Sequence, residues 1–376
     1  MKRGVTVDYN YYQSFYTKDR VCTDKRMRNI LVIGNGFDLF HGKKSGYRDF
    51  VQCVEAAFAK DRDARNAFET KLTELCNVNG FFRHFHFALS DDPTWSYFED
   101  EMKKIIGALL HFQEVVLEKQ RDPEYDLTNY KIISTQYIYH DLQIFKHFAR
   151  IFEQVYEDPS GGLFKIRPQF ITSERLLDKK AVIAEVRREL DSFTEALDLY
   201  METCVCGTDS VARSARIEAI APTYVINMNY TDTARAYGVP DDRIYYAKGR
   251  AGSHPSNLVL GSPEMAKIDP DWAYVINDFQ ILTKFIGLPE EECIFPADEE
   301  DGVVPVVLHF FGYSFPEGDE RLMELLFIGM KSAVIYYIDG EDYARKILQL
   351  GRLLGKEEFL KLFYRGKISF EKISAD

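Results

Sequence analysis

Residues 29–36 read Asn29-Ile30-Leu31-Val32-Ile33-Gly34-Asn35-Gly36, an apolar run rich in β-branched residues that ends on a glycine turn. A short run without polar alternation suits a strand buried on both faces, as parallel sheets require. The turn continues as Phe37-Asp38-Leu39 and is read as opening a helix. At that point a Rossmann-type sheet brings backbone N–H groups to a phosphate. Gly34 and Gly36 permit the tight turn and the close approach. Asn35 is read as left-handed, or as an amide donor to phosphate or ribose. Asp38 is read as a helix cap, or as acceptor of a ribose hydroxyl. The third glycine of the dinucleotide fingerprint is absent, so the turn taken alone also fits a plain strand-to-helix joint.

Downstream the pattern changes. YRDFVQCVEAAFAK, WSYFEDEMKKIIGALLHF, YIYHDLQIFKHFARIFEQVYE and LLDKKAVIAEVRRELDSFTEALDLYMETC space apolar residues at three and four, which predicts amphipathic helices. After Cys206 strand signals return: TYVINM (223–228), RIYYAK (243–248), NLVLG (257–261), VVPVVLHFFG (303–312) and SAVIYYI (332–338), with helical stretches such as AYVINDFQILTKFI and DERLMELLFIGM between them. Strands alternating with helices argue for an α/β fold with a mostly parallel sheet. The expected organisation is an N-terminal arm (1–28), a Rossmann-like core split between 29–50 and 206–355, a large α-helical insertion (51–205) packed over the carboxyl end of the sheet, and a C-terminal tail (356–376).

Composition narrows the function classes. A net charge of −12 disfavours nucleic acid as a partner, because backbone binding needs many Lys and Arg contacts. Six cysteines lie scattered, and Cys204-Val205-Cys206 has no second pair to complete a zinc site, so no metal is assigned. Reduced thiols and the absence of a signal-type apolar segment point to a soluble cytoplasmic protein. Residues 303–315, the most apolar stretch, are too short to span a bilayer. The 28 Phe and 23 Tyr are read as thick packing between helices.

Residues 34–50, GNGFDLFHGKKSGYRDF, closely resemble the opening motif of the AbiH phage abortive-infection family. Trp95-Ser96-Tyr97-Phe98-Glu99 resembles the family's Trp-to-Phe-Glu helix start. Ile226-Asn227-Met228-Asn229-Tyr230-Thr231 resembles its strand end, and Phe311-Gly312-Tyr313-Ser314-Phe315, with Asp319 beyond, its late turn. The family's core motifs are similar to those of sirtuin-like (DHS-like) NAD-binding proteins. That resemblance implies a defence protein binding NAD or a related nucleotide, with cleavage of the glycosidic bond as the implied reaction. By position, Gly34, Asn35, Gly36, Asp38, Asn229, Tyr230 and Ser314 would hold the nucleotide, Asn229 at the ribose and Ser314 on the adenosine side. The resemblance expects a histidine where this chain has Lys248, within Tyr246-Ala247-Lys248-Gly249. A lysine near its usual pKa of about 10.4 is no base at neutral pH. Asn229, His41 and His254 are therefore the expected catalytic set, the two histidines reaching in from loops.

Simpler readings stand beside these. Asn229 and Asp232 also suit helix capping. His84 and His86 alternate with aromatics and line a strand or pack in the helical block. His111, His140 and His147 read as surface or core-edge residues, and His309 as a hydrogen-bonded core histidine. The competing function is a non-catalytic nucleotide sensor, which Lys248 favours, with the helical block offering a surface for self-association or a phage trigger protein. A nuclease toxin is weakened by the acidic balance.

Overall fold

The computed structural model describes residues 28–88, 95–122, 124–129, 139–156, 163–206, 211–262, 270–284, 286, 297–298 and 302–373. The expected arm lies outside these, save for Arg28. β1 (Arg28–Ile33) is followed by α1 (Asn35–Phe40). The helical block comprises α2 (Tyr47–Ala59), α3 (Ala67–Cys76), α4 (Gly80–Ala88), α5 (Trp95–Lys119), α6 (Tyr139–His147) and α7 (Lys179–Tyr200), which ends in a π-helical turn, Met201–Cys206. Within the block β2 (Phe152–Tyr156) and β3 (Leu163–Ile166) form an antiparallel hairpin that the helical periodicity did not suggest. Then come α8 (Ala215–Ile220), β4 (Tyr224–Asn227), β5 (Ile244–Tyr246), α9 (Asn277–Thr283), the two-residue strands β6 (Ala297–Asp298) and β7 (Gly302–Val303), β8 (Val306–Phe311) and α10 (Glu320–Gly329). β9 (Ser332–Tyr337), α11 (Gly340–Leu353), α12 (Lys356–Tyr364) and β10 (Ile368–Lys372) close the fold.

The main sheet is wholly parallel in the order β10-β9-β8-β1-β4-β5. Counted by appearance within the sheet, that is the 3-2-1-4-5-6 order of dinucleotide-binding sheets, whose switch point lies between the first and fourth strands. Here those strands are β1 and β8. The opening apolar run behaves as its composition requires. Ile30 and Val32 enter the core on one face, with Leu308, Met323 and Leu326. Leu31 and Ile33 enter the other, with Ile217, Val225 and Phe37. Both faces are dry, so the run needs no polar alternation. A third core belongs to the helical block and absorbs much of the aromatic excess. Phe85, Phe98 and Phe193 stack there, with Phe85 and Phe98 centroids 4.3 Å apart.

Three segments depart from expectation. NLVLG (257–261) forms no strand: residues 258–260 are buried as extended chain, and only Ser262 makes an isolated bridge, to Ile276. The expected tail is instead an amphipathic helix, α12, and an edge strand, β10, paired along β9. Phe359 and Ile368 bury in the sheet core, which gives this segment the apolar anchor that a tail lacks. The expected boundary at residue 51 falls inside α2, whose Tyr47 and Phe50 are already core residues of the helical block.

Candidate functional site

A cavity of about 760 Å³ opens at the carboxyl ends of β1, β4 and β8, where the strand order reverses. Such volumes suit small ligands and cofactors. Its walls carry the glycine turn, Met228–Thr231, the 311–314 turn, and Asp342, Arg345 and Lys346 of α11, while Phe98, Glu99 and Met201 of the helical block cover it.

The glycine turn is packed rather than open. A Cβ on Gly34 would lie 2.7 Å from the Gly312 carbonyl oxygen, and one on Gly36 2.7 Å from the Gly312 Cα. The Gly36 N–H donates to Gly312 O at 2.9 Å and the Phe37 N–H to Gly34 O at 2.8 Å. These glycines therefore let two strand-end turns touch, and the N–H groups expected to meet a phosphate are largely committed to protein carbonyls. α1 is only six residues long. Asn35 is its first helical residue, not left-handed, and its Oδ1 accepts from Ser45 Oγ at 2.6 Å.

Asp38 caps nothing. It is fully buried at the cavity wall, with Oδ2 accepting from Thr231 Oγ1 at 2.7 Å and Oδ1 without a partner among the described residues. Burial pushes its carboxyl up to about 6, against the Thr233 and Thr231 hydroxyls and the Lys43 charge, which pull it down. Asn229 is not a helix cap either. Its Nδ2 donates to Gly34 O at 2.9 Å, tying the end of β4 to the end of β1, and its own N–H donates to Asn227 Oδ1 at 2.9 Å. Tyr230 is buried and spends its hydroxyl on Val259 O at 3.0 Å. Ser314 lines the cavity with an exposed side chain.

The two histidines expected as bases do not line the cavity. His41 donates from Nδ1 to Phe37 O at 2.6 Å, so Nε2 accepts from Tyr237 Oη, also at 2.6 Å, and both ring nitrogens are occupied. His254 is exposed. Lys248, by contrast, is at the heart of the site. Its Nζ lies 2.7 Å from Asp319 Oδ1 and 3.4 Å from Glu99 Oε1, and Tyr313 Oη donates to Asp319 Oδ2 at 2.7 Å. Burial alone would lower the lysine; the Asp319 and Glu99 carboxylates outweigh it and hold the ammonium above its ordinary value. Lys248 is thus a fixed positive charge. Glu99 and Asp319 sit in motif segments legible in the sequence, but their convergence on Lys248 is not. The contribution of α11 was missed too, since GEDYARKILQLGRL reads as an ordinary amphipathic helix. His309 is hydrogen-bonded, its Nδ1 3.2 Å from Tyr336 Oη, but half-buried rather than in the core.

Residues 30–327 match the family described as Bacteriophage abortive infection AbiH, a span running from β1 into α10 and containing most of the cavity wall. The chain belongs to the AbiH family. Membership supports a role in abortive infection against bacteriophage. The AbiH match ends before β9, so the α11 wall of the cavity lies outside it. No curated protein and no solved structure matches this AbiH chain. Among the described residues no helix is long and apolar enough to cross a membrane.

Proposed function

We propose that this AbiH protein is a defence effector whose switch-point cavity binds NAD or a related nucleotide and cleaves its glycosidic bond. The observation that carries the reading is the coincidence of three features. A 3-2-1-4-5-6 parallel sheet, a cavity of about 760 Å³ at its reversal point, and a buried carboxyl at that cavity's wall with one oxygen unpartnered among the described residues occur together. Asp38 takes the role first given to His41 and His254: a carboxyl near 6 is divided between acid and base forms close to neutrality. It would accept a proton from water or from a ribose hydroxyl, with Lys248 a fixed positive charge elsewhere on the same cavity wall. With the glycine-turn N–H groups largely committed, Arg345 would supply the positive charge for phosphates, since it keeps exposed guanidinium surface beside its pair with Asp342, whereas Lys346 is buried against Asp342 and the Tyr336 carbonyl. Asn229 and Ser314 complete the polar wall. The helical block, which covers the cavity through Phe98 and Glu99, is the surface through which a second copy or a phage trigger protein would act.

The second reading, a nucleotide sensor without turnover, draws on the same Lys248, which cannot replace the expected histidine as a base. Thermal-shift measurements with NAD, ADP-ribose, ATP and flavins identify the ligand, since one that prefers the folded state raises the melting temperature. Incubation with NAD, followed by assay for free nicotinamide, separates the readings. Nicotinamide release supports the effector; stabilisation without release supports the sensor. Neither stabilisation nor release from any of these compounds overturns both.

A further inference from the structure

Away from the cavity, three helices of the block bring four titratable side chains to one buried point. His84 of α4 and Glu101 of α5 are each 1% exposed. His140 and His147 stand seven residues apart on α6, and so share a face of that helix. Glu101 Oε2 lies 2.7 Å from His84 Nε2, while its Oε1 is held by Lys104 Nζ at 2.5 Å. On the other side of the ring, His84 Nδ1 lies 3.3 Å from His147 Nδ1. One ligand atom each from His84, Glu101 and His140 fall within 4.8 Å of one another. His140 Nε2 is buried and has no hydrogen-bond partner among the described residues.

We propose that His84, His140 and Glu101 bind one divalent transition-metal ion of the zinc class, with His147 as the outer partner that orients His84. Two imidazoles and a carboxylate, with no thiolate, form a donor set that zinc accepts with water in the fourth position. Helical bundles build such sites from facing helices. Adjacent ligands at bond lengths of about 2.0–2.1 Å sit roughly 3.3 Å apart, so side-chain rotations of about 1.5 Å close the widest pair. A ligating histidine also passes its second N–H to a fixed acceptor. His147 meets that need by geometry, its Nδ1 standing 3.3 Å from His84 Nδ1. With Nδ1–H donated to His147, the lone pair of His84 is on Nε2, facing Glu101. Metal entry would replace the 2.7 Å contact between His84 Nε2 and Glu101 Oε2 with two bonds to the ion. Glu99 and Glu101 lie two residues apart on α5, one meeting Lys248 and the other His84. The ion would therefore pin the turn of α5 that covers the cavity, whatever ligand the cavity takes.

The test uses the full chain, freed of any affinity tag and of metal by chelation, then equilibrated with Zn²⁺ or Co²⁺ and desalted. Expected are one bound equivalent by elemental analysis and visible Co²⁺ d–d absorption without the near-ultraviolet charge-transfer band of a thiolate ligand. His140→Ala should abolish the stoichiometric ion, and His147→Ala should weaken affinity about 10–100-fold. His86→Ala, an exposed site paired to Glu55, should change nothing. A chain that retains no ion would overturn the proposal and leave a buried histidine–carboxylate hydrogen bond. So would a thiolate band, or His147→Ala with wild-type affinity. Should His140→Ala fail to fold, the Co²⁺ spectrum of the wild type and the His147→Ala affinity decide the matter.

Discussion

Replacing Lys248 with Met removes the cation between two buried carboxylates and keeps the side chain's bulk. Side-chain exposure is 10% for Lys248, 5% for Asp319 and 19% for Glu99, so solvent screens the group weakly. Breaking a buried pair by deleting one partner costs about 3–5 kcal/mol, most of it from the charge left behind. At roughly 2.1 cal/mol/K of unfolding entropy per residue, a cooperative unit of this size should melt about 4–6 °C lower. The pH dependence identifies the cause. In the wild type the lysine lies above its ordinary value, so its contribution is intact at neutral pH and is lost only as pH rises through the alkaline range. In the variant, Glu99, already raised by burial, loses the Lys248 charge that opposed the shift. A carboxyl with a raised folded-state pKa contributes stability that is fully present below its unfolded value and lost as pH climbs through the folded one. The gap between variant and wild type should thus be widest near pH 7.5 and shrink toward pH 5. Combining Lys248→Met with Asp319→Asn and Glu99→Gln should recover at least half of the loss, because no charge remains buried. Thermal melts of the three proteins at both pH values measure this. A Lys248→Met melting point within 1 °C of wild type, or a gap that does not change with pH, would refute the reasoning.

Asp38→Asn should be more stable than wild type by roughly 1–3 kcal/mol at pH 7.5, since the buried carboxyl's contribution is present below 3.8 and lost as pH rises through about 6. The gain should vanish in melts near pH 4, and ligand-dependent activity should fall despite the added stability. Gly312→Ala places a Cβ 2.1 Å from Phe37 N at φ +64° and should cost several kcal/mol, measured by denaturant titration. Gly340→Ala, where nothing lies within 4 Å, is the matched control and should change stability by less than about 1 kcal/mol. Asn229→Ala should lose about 0.5–1.5 kcal/mol of stability through its bond to Gly34 and weaken nucleotide binding as well. Calorimetric binding that stays unchanged while the melting temperature falls would assign Asn229 a purely structural role.

Local pattern and composition make part of this fold legible without coordinates. Ile30–Ile33 announced a two-faced strand because every side chain in it is apolar, and the three- and four-residue spacing after Tyr47 announced helices. The AbiH motifs include segments that line the cavity, among them Gly34, Asn229, Ser314 and Glu99. Strand neighbours emerge only from packing in three dimensions, and with them the reversal between β1 and β8. That packing also decided that Gly34 and Gly36 serve a contact with Gly312, that Asp38 is buried, and that His41 turns its ring toward Tyr237. Lys248 reads as a lost base in sequence and as a clamped cation in space, because Glu99, 149 residues away, and Asp319 surround it. His84 and His140 show the same limit: each is an unremarkable helical residue until α4, α5 and α6 pack. Local periodicity records which side of an element is dry. The field at a side chain is set by groups that arrive from elsewhere in the chain, and no window of sequence contains them.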